Sequence, residues 1–551
     1  MKLFRDLNIS RKNQLKKYIF VYIVAILFCL LSVFLFFGNL NNIWRSLQKE
    51  DELEVAERAE YKKVVKVAGE QKAKKDSPEM EQEADIVIWG EGDAYKVAAL
   101  QLRNMKESFQ EKEALSDCKE ARILFVCRPH FEEAEIELLR QYSESGMTLF
   151  FTNIPDAEML EDSGIKNLLG IARYKGVERK TGIRLAEKVL FGNITENKQK
   201  FSLRSVTLQP HTEVYGAALE KGDVKPENLS PVYWRYKKDG ESGNVYVADE
   251  HVMNEASGYG AVSFLFEDLY GIYMYPVINA YCYAISGMPY TDEYSTSFLD
   301  KEYERGSIGV QNDIFFPEFK RCEERYDVSS TWYSTDEEEL KKTENELLKY
   351  YLEGIEEEKD EIGTLGVNAK VKSPFKNRLS EWTPSFQWIN EEADSIYVPY
   401  NVIKDEKPEN VIFGDLGMCK GAGFNIVFTD VEPFLNKPEK KGEDDWVDFC
   451  RSMETVLGVE KEKMPWLERV TVGEAIYRIK SFTMMEPEIT YSDHSIEADI
   501  GNFTGRAYFY LSLPKEVKEV KNARLTELYE DFYMVEAAKE HVSIVYEEKK
   551  R

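Results

Sequence analysis

The stretch Asp85–Gly90, DIVIWG, has the composition of a short buried β-strand. The segment after it predicts a helix whose apolar face is formed by Ala98, Leu102, Met105 and Phe109. Two more apolar strands, Ala121–Cys127 (ARILFVC) and Met147–Asn153 (MTLFFTN), enclose a second amphipathic helix, Phe131–Gly146. Strands that are apolar throughout and alternate with helices are typical of parallel sheets covered on both faces. The sequence therefore predicts an α/β fold that begins with a doubly wound parallel sheet.

The charge of the chain is strongly acidic and unevenly distributed. Its 551 residues carry a formal net charge of −27. This argues against nucleic-acid binding, because a phosphate backbone requires a basic surface. The first 44 residues differ from the remainder, since they contain six Lys or Arg and one Asp, a net charge of +5.

An uncharged stretch of 21 residues, Tyr18–Gly38, lies within this basic region. It is long enough to cross a hydrocarbon layer of about 30 Å, and basic residues before it favour a cytoplasmic N-terminus. The sequence predicts a cytoplasmic tail at 1–17, a single transmembrane helix at 18–38 and an extracytoplasmic remainder; a buried core helix is the alternative. Residues 39–83 are rich in Glu, Lys and Ala and predict a charged helical stalk, for which a flexible linker is the alternative.

Two motifs of the first unit fall short of known functional signatures. Gly90 and Gly92 follow the first strand as in a dinucleotide loop, but the third glycine of that fingerprint would fall at Tyr95. Cys127 ends a strand, yet a nucleophile elbow requires small neighbours and this cysteine has Val126 and Arg128. We therefore interpret Cys127 as a packed thiol rather than a nucleophile.

A second set of alternating elements predicts another α/β unit, an incomplete (β/α) barrel. Its first strand is expected at Gly306–Val310 (GSIGV), running into Gln311-Asn312-Asp313. Further strands are expected at Val328–Ser334, Ser395–Ile403 and Phe424–Asp430. From about residue 484 the pattern changes to alternating polar and apolar residues, which predicts a small antiparallel β module at the C-terminus.

In the order of these units and in several short sequence segments, the chain resembles an uncharacterised family of membrane-anchored bacterial proteins. The segments are DIVIWGEGDA, YMYPVINAYCY, VQNDIFFPEF, SSTWYS, DEIGTLG and MPWLERVTVGEA. Family members carry a glutamine-amidotransferase-like domain followed by a polysaccharide-deacetylase-like region, and some are encoded beside Pel-type exopolysaccharide genes of Gram-positive bacteria. The resemblance implies an amidotransferase-like domain at 84–270, a degenerate deacetylase-like (β/α) barrel at 271–480 and a β-rich module at 481–551.

The resemblance also implies that the deacetylase chemistry is lost. Active deacetylases of this type use two Asp residues at a strand end and a His-x-x-x-His pair. In this chain the two Asp positions become Asn312 and Asp313, and the two histidines become Leu365 and Ala369. No histidine lies between residues 252 and 493, and a Zn²⁺ site requires about three protein ligands. We expect no metal, no cofactor and no deacetylase activity.

Other residues offer a weaker catalytic route and a binding surface. Asp313, Glu318, Asp430 and Glu432 are expected at or after strand ends, and two such carboxylates at the right separation could hydrolyse a glycosidic bond. The candidate glycan-binding residues are Asp313, Trp332, Trp388, Tyr397 and Tyr400. Core packing is the alternative explanation for each aromatic residue.

Two hypotheses of function follow from these observations. The first is a membrane-anchored extracytoplasmic protein of exopolysaccharide biosynthesis or export, non-catalytic, which binds glycan or serves as a scaffold for the synthesis and export machinery. The second is an enzyme, either a carboxylate-dependent glycoside hydrolase or a divergent polysaccharide deacetylase.

Overall fold

The structure is a computed structural model. It describes residues 85–191, 195–222, 225, 228–240, 242–290, 295–334, 350–351, 353–355, 360–364, 376–390, 395–402, 407–436 and 446–549. The predicted cytoplasmic tail, transmembrane helix and stalk lie outside these residues. Within the described part of the chain, no helix is long and apolar enough to cross a membrane.

The first part of the chain builds a large mixed sheet and a separate two-stranded ribbon. Its strands are β1 Ile86–Gly90, β2 Phe109–Lys112, β3 Ile123–Cys127, β4 Thr148–Phe151, β5 Ile171–Lys180, β6 Gly182–Leu185, β7 Thr195–Glu196, β8 Phe201–Leu208, β9 Thr212–Leu219, β10 Ser230–Tyr236 and β11 Val245–Ala248. Its helices are α1 Asp93–Asn104, α2 Glu133–Glu144, α3 Ser163–Leu168, α4 Glu250–Met253 and α5 Ser257–Tyr270. Short 3₁₀ turns are found at Leu115–Cys118 and Met159–Glu161.

The sheet has the strand order β2-β1-β3-β4-β11-β10-β9-β6-β7. The strands from β2 to β11 pair in parallel, so the predicted parallel sheet is present. Four further strands extend it in antiparallel fashion, and β5 and β8 form a separate antiparallel ribbon. Helix α2 begins at a capping box, in which Glu132 and Glu135 each accept a hydrogen bond from the other residue's backbone N–H.

The middle part of the chain builds a second sheet, which is parallel. Its strands are β13 Ala280–Ser286, β14 Ser330–Ser334, β15 Glu361–Thr364, β16 Lys376–Glu381, β17 Ile389–Asn390, β18 Ser395–Val402 and β19 Phe424–Asp430, and a preceding strand, β12 Tyr273–Val277, lies elsewhere. Its helices are α6 Ser297–Glu302, α7 Ser307–Val310, α8 Phe316–Tyr326, α9 Pro408–Ala422, α10 Trp446–Lys463 and α11 Val472–Met484, and a 3₁₀ turn spans Glu432–Leu435.

This sheet has the order β15-β14-β13-β19-β18-β16, with all of these neighbours parallel and β17 added antiparallel to β18. Among the described strands the two ends of the path, β15 and β16, do not pair with each other. The unit is therefore an open parallel sheet rather than a closed barrel within the described residues.

The prediction of a strand at Gly306–Val310 is wrong. Helix α7 covers most of it and continues through a π-helical turn, Gln311–Phe315, into α8. Val310, Phe315 and Phe319 are all buried, at a spacing that fits one face of a helix. The first strand of this sheet is instead β13, AYCYAIS, which is buried along its whole length.

The C-terminal part forms two antiparallel sheets of four strands. Its strands are β20 Glu486–Tyr491, β21 Ser495–Gly501, β22 Ala507–Ser512, β23 Glu516–Lys521, β24 Ala523–Tyr529, β25 Phe532–Ala537 and β26 His541–Glu547. One sheet has the order β20-β21-β26-β23, and the other has the order β12-β22-β25-β24. Strand β12 therefore belongs to the C-terminal sheets, although it precedes the parallel sheet in sequence by two residues.

Candidate functional site

Polar side chains meet at the carboxyl edge of the second parallel sheet. Ser286 is the last residue of β13, and it pairs with Tyr333 of β14 on one side and with Asp430 of β19 on the other. Ser334 ends β14 directly after Tyr333. The carboxyl ends of adjacent parallel strands form the crevice in which open α/β sheets bind their ligands. We therefore define Ser286, Ser334 and Asp430 as the carboxyl edge.

Asp430 is the carboxylate at the centre of this edge. It is partly exposed, and its Oδ1 accepts a hydrogen bond of 3.2 Å from the backbone N–H of Glu432. The loop that leaves β13 passes close to it, because a Cβ placed on Gly287 would lie 3.5 Å from Asp430 Oδ1. A backbone bond of 3.1 Å from Val431 N–H to the Ser286 carbonyl fixes the two strand ends to each other.

The loop after β13 is held by side chains from neighbouring elements. Ser334 Oγ donates a hydrogen bond of 2.8 Å to the Pro289 carbonyl. The buried side chain of Gln311 bonds both the N–H and the carbonyl of Tyr290, at 2.9 and 3.0 Å. Ser334 and Gln311 thus position the backbone that borders the edge, and sequence reasoning missed both of them. The signal that could have located the edge is the apolar run of β13, which ends at Ser286.

The predicted deacetylase positions are not at the strand end. Asn312 and Asp313 lie in the π-helical turn, and the exposed Asp313 forms an ion pair of 2.8 Å with Arg305. This corrects the prediction that they follow a strand, and the reason is the helical packing described above. Leu365 and Ala369 lie outside the described residues.

The residues of the carboxyl edge do not fit a catalytic Zn²⁺ centre of the deacetylase type. Such a centre requires about three N, S or carboxylate ligands and an open position. Within the described part of this edge, Asp430 and Glu432 are the carboxylates, and the whole chain has no histidine between residues 252 and 493. We therefore derive no reaction step through a metal at this edge.

The two predicted tryptophan platforms are buried, which corrects their assignment to glycan stacking. Trp332 is 0% exposed and packs against the rings of Phe316 and Phe319. Trp388 is 5% exposed, and its Nε1 donates a hydrogen bond of 2.9 Å to Asn104 Oδ1 in the first part of the chain. Core packing, the alternative explanation, accounts for both. Tyr397 and Tyr400 lie on β18, and their side chains are outside what the structure describes.

The alternative carboxylates are distributed over two places. Glu432 follows Asp430 at the carboxyl edge and is exposed. Glu318 lies in the first turn of α8, not at a strand end, and forms an ion pair with Arg321 at 2.5 Å. The structure therefore places Asp430 and Glu432 together and Glu318 at a helix–helix contact.

Cys127 of the first sheet is a buried thiol. It is 2% exposed, and burial raises its pKa to about 12, because the thiolate would lose its hydration. A nucleophilic cysteine has a lowered pKa and an accessible sulfur. These properties agree with the interpretation of Cys127 as a packed residue.

Comparison with known proteins gives a family match near the C-terminus and a structural similarity over most of the chain. Residues 428–534 match the profile of a family described as an uncharacterised protein conserved in bacteria (DUF2194). The crystal structure of Agd3, described as a novel carbohydrate deacetylase, is similar with a TM-score of 0.50 and 9% identity, over 84% of this chain and 98% of that chain. The comparison with curated proteins found no match.

Two other structures are similar over about a third of the chain. A β-galactosidase from Bacillus circulans sp. alkalophilus has a TM-score of 0.26 and 11% identity, over 35% of this chain and 34% of that chain. A ThuA-like protein from Bacteroides uniformis has a TM-score of 0.25 and 12% identity, over 35% of this chain and 94% of that chain. Scores this low do not establish a shared fold. The fold of this chain is thus similar to that of a carbohydrate deacetylase across most of its length, and fold alone does not transfer an activity.

Proposed function

We propose that the protein binds a polysaccharide at the carboxyl edge of its second sheet. It acts there as a non-catalytic, membrane-anchored component of exopolysaccharide biosynthesis or export, outside the cytoplasm. The observation that carries the proposal is the composition of the edge, where the partly exposed Asp430 lies beside Ser286 and Ser334 and the described residues of the edge contain no metal-ligand set. The partly exposed carboxylate of Asp430 can accept hydrogen bonds from sugar hydroxyls, while the buried Ser286 and Ser334 form the wall of the edge beside it. The similarity of the fold to a carbohydrate deacetylase supports polysaccharide as the ligand class.

The charge of the chain favours a neutral or cationic polysaccharide. The net charge is −27, and long-range attraction to a cationic amino-sugar polymer weakens as salt is added. The uncharged segment at 18–38, preceded by basic residues, supports a membrane anchor with its N-terminus in the cytoplasm. Such an anchor would keep the carboxyl edge beside the synthesis and export machinery.

A glycoside hydrolase is the second candidate, and the placement of two carboxylates favours it. Asp430 and Glu432 lie two residues apart at the same edge. Glycosidases use a pair of carboxyl groups, one of which donates a proton while the other acts as base or nucleophile. The same experiment can distinguish this function from binding alone.

The test is calorimetric titration of the purified full-length protein with partly deacetylated amino-sugar oligomers. Wild type, Asp430→Asn and a matched control, Asp93→Asn, are compared at low and high salt, with and without a chelator. Asp93 suits the control because it is exposed on α1 and forms a surface ion pair with Lys96. We expect binding that resists the chelator, that weakens in high salt and that Asp430→Asn reduces by roughly 5- to 10-fold, the difference between about one charge-assisted and one neutral hydrogen bond.

Product analysis of the same mixtures separates the alternatives. Release of acetate that depends on a metal would establish a deacetylase, and shortened oligomers that disappear with Asp430→Asn would establish a hydrolase. Equal affinities of wild type and Asp430→Asn, or no binding at any salt concentration, would remove the carboxyl edge from the function.

A further inference from the structure

We infer that helices α8 and α10 form a binding site for one thiophilic divalent cation, such as Zn²⁺, made of two cysteines and two glutamates. Glu318 and Cys322 lie one turn apart on α8, and Cys450 and Glu454 lie one turn apart on α10. This site is separate from the carboxyl edge, and nothing in the proposed polysaccharide binding depends on it.

The geometry brings three of these side chains to one point. A carboxylate oxygen of Glu318, Sγ of Cys322 and a carboxylate oxygen of Glu454 all lie within 4.8 Å of one another. An ion midway among atoms at that separation would stand about 2.8 Å from each, whereas Zn²⁺ binds at about 2.0–2.3 Å. Side-chain movements of less than about 1 Å therefore complete the contact. Cys450 lies one turn before Glu454 on α10 and outside this group of three atoms, so its side chain would have to turn toward the ion to serve as the fourth ligand.

The environment of the Cys322 thiol is a second, independent observation that points to a bound ion. Its side chain is 0% exposed, and its sulfur has no hydrogen-bond partner among the described residues. By contrast, Cys118 and Cys282 each have a backbone carbonyl as acceptor. A buried thiol between two carboxylates gains little from them as a neutral group. As a thiolate bound to a soft divalent cation it would complete a mixed sulfur and oxygen shell.

Two arginines border the site and offset its negative charge. Arg321 bonds Glu318 and Glu454, and Arg325 forms an ion pair of 3.2 Å with Glu454. A divalent cation with two thiolates and two carboxylates carries a net charge of −2, which the two guanidinium groups offset. Each carboxylate has about four lone-pair positions, so both can retain an arginine and still bind the ion. The arginines are 45% and 57% exposed and have room to shift outward.

The position of the site suggests what the ion would stabilise. Helix α8 leads to β14, and α10 follows β19, and both strands pair with β13. An ion shared by the two helices would hold them together on one face of this sheet.

The test uses the reduced full-length protein and Co²⁺ as a probe for the Zn²⁺ site. We expect one equivalent of Co²⁺ to give a thiolate-to-metal charge-transfer band in the near ultraviolet, and Zn²⁺ to displace it. Cys322→Ser should abolish most of the band and lower the affinity by more than the roughly 10- to 100-fold that loss of a second-shell group causes. Cys118→Ser is the matched control, because it removes an equally buried thiol from the first part of the chain.

Circular dichroism of each variant verifies that it folds, and Glu454→Gln provides a second variant at a partly exposed position. Binding of Co²⁺ without the charge-transfer band would show an adventitious carboxylate site and overturn the proposal. So would equal binding by wild type and Cys322→Ser, or the discovery of a Cys322–Cys450 disulfide in the purified protein.

Discussion

Glu460 shows at the scale of one residue how burial decides the chemistry of a side chain. This residue of α10 is 0% exposed, and its Oε2 accepts a hydrogen bond of 2.7 Å from the hydroxyl of Tyr281. Asp415 and Asn425 lie beside it, and Arg469 is a cation within reach. Burial has the largest effect and raises the pKa of Glu460, because its charged form has lost water.

The raised pKa predicts a pH dependence of stability with a definite sign. Over the interval between the ordinary pKa of 4.5 and the higher folded pKa, the folded protein binds more protons than the unfolded chain. Its free energy of unfolding therefore falls as pH rises through that interval, by up to about 1.4 kcal/mol per pH unit. Glu460→Gln removes this titration, so urea unfolding between about pH 5 and pH 8 should show a shallower decline for the variant. Glu488→Gln, at an exposed position, is the control, and equal slopes for Glu460→Gln and wild type would disprove the argument.

Residue type alone did not predict which aromatic side chains are accessible. Trp332 was a reasonable candidate for stacking, since it lies on the strand that ends at Ser334. The preceding helix α8 covers it with Phe316 and Phe319, and a local sequence pattern does not show which strand residues a helix will cover. The carboxyl edge was predicted only in part. Asp430 ends a strand with a clear apolar pattern, whereas Ser286 ends a strand that was not predicted.

At the scale of elements, two helices end at a glycine of positive φ, in different backbone conformations and different surroundings. Gly271 follows α5 with a φ of +71°, and Gly423 follows α9 with a φ of +61°. Gly423 has the left-handed helical conformation, with a ψ of +34°, whereas Gly271 has a ψ of −54°. Residues with a Cβ are strained at both positive φ values, which explains the glycine at both helix ends. A Cβ added at Gly271 would meet nothing within 4 Å, but at Gly423 it would lie 2.7 Å from Cβ of Val277.

This difference predicts unequal effects of the same substitution. Gly271→Ala should lower the free energy of unfolding by about 1–3 kcal/mol, the cost of a sparsely populated backbone conformation alone. Gly423→Ala should lower it by about 2–4 kcal/mol, because overpacking against β12 is added to the strain. Urea unfolding of the two variants measures the difference directly. Equal losses would mean that α9 can move away from β12 without loss of stability.

The elements that the sequence predicted correctly are those with continuous local patterns. Strands β1, β3 and β4 are apolar along their length and alternate with helices, and this pattern correctly predicted that they pair in parallel. The run at Gly306–Val310 was too short to distinguish a strand from a helix by periodicity. The pairing of β12 with β22 links positions more than 230 residues apart, and no local signal predicts such a contact.

At the scale of the whole molecule, the described sheets share their interior. One cluster of buried apolar residues includes Leu100 of α1, Cys282 of β13 and Phe509 of β22. A buried ion pair joins the same parts, since Lys420 of α9 donates a hydrogen bond of 2.8 Å to Glu267 of α5. The Lys420 ammonium also lies 3.9 Å from the centroid of the Phe532 ring of β25. Removing one partner of a buried pair leaves an unpaired charge, so these contacts bind the three regions into one unit.

A shared interior predicts that the folded part unfolds in one cooperative transition. Phe509 is 0% exposed and pairs with Pro276 of β12, so Phe509→Ala should destabilise the protein by about 3–5 kcal/mol. All eight tryptophans of the chain lie at or before Trp466, so their fluorescence reports on the regions that precede the substituted sheet. We expect Phe509→Ala to shift the urea midpoint of tryptophan fluorescence and of far-ultraviolet circular dichroism equally. The exposed Val177→Ala serves as the control with little shift. A midpoint that moved by circular dichroism while the fluorescence midpoint stayed in place would show that the C-terminal sheets unfold independently, despite the strand they take from the middle of the chain.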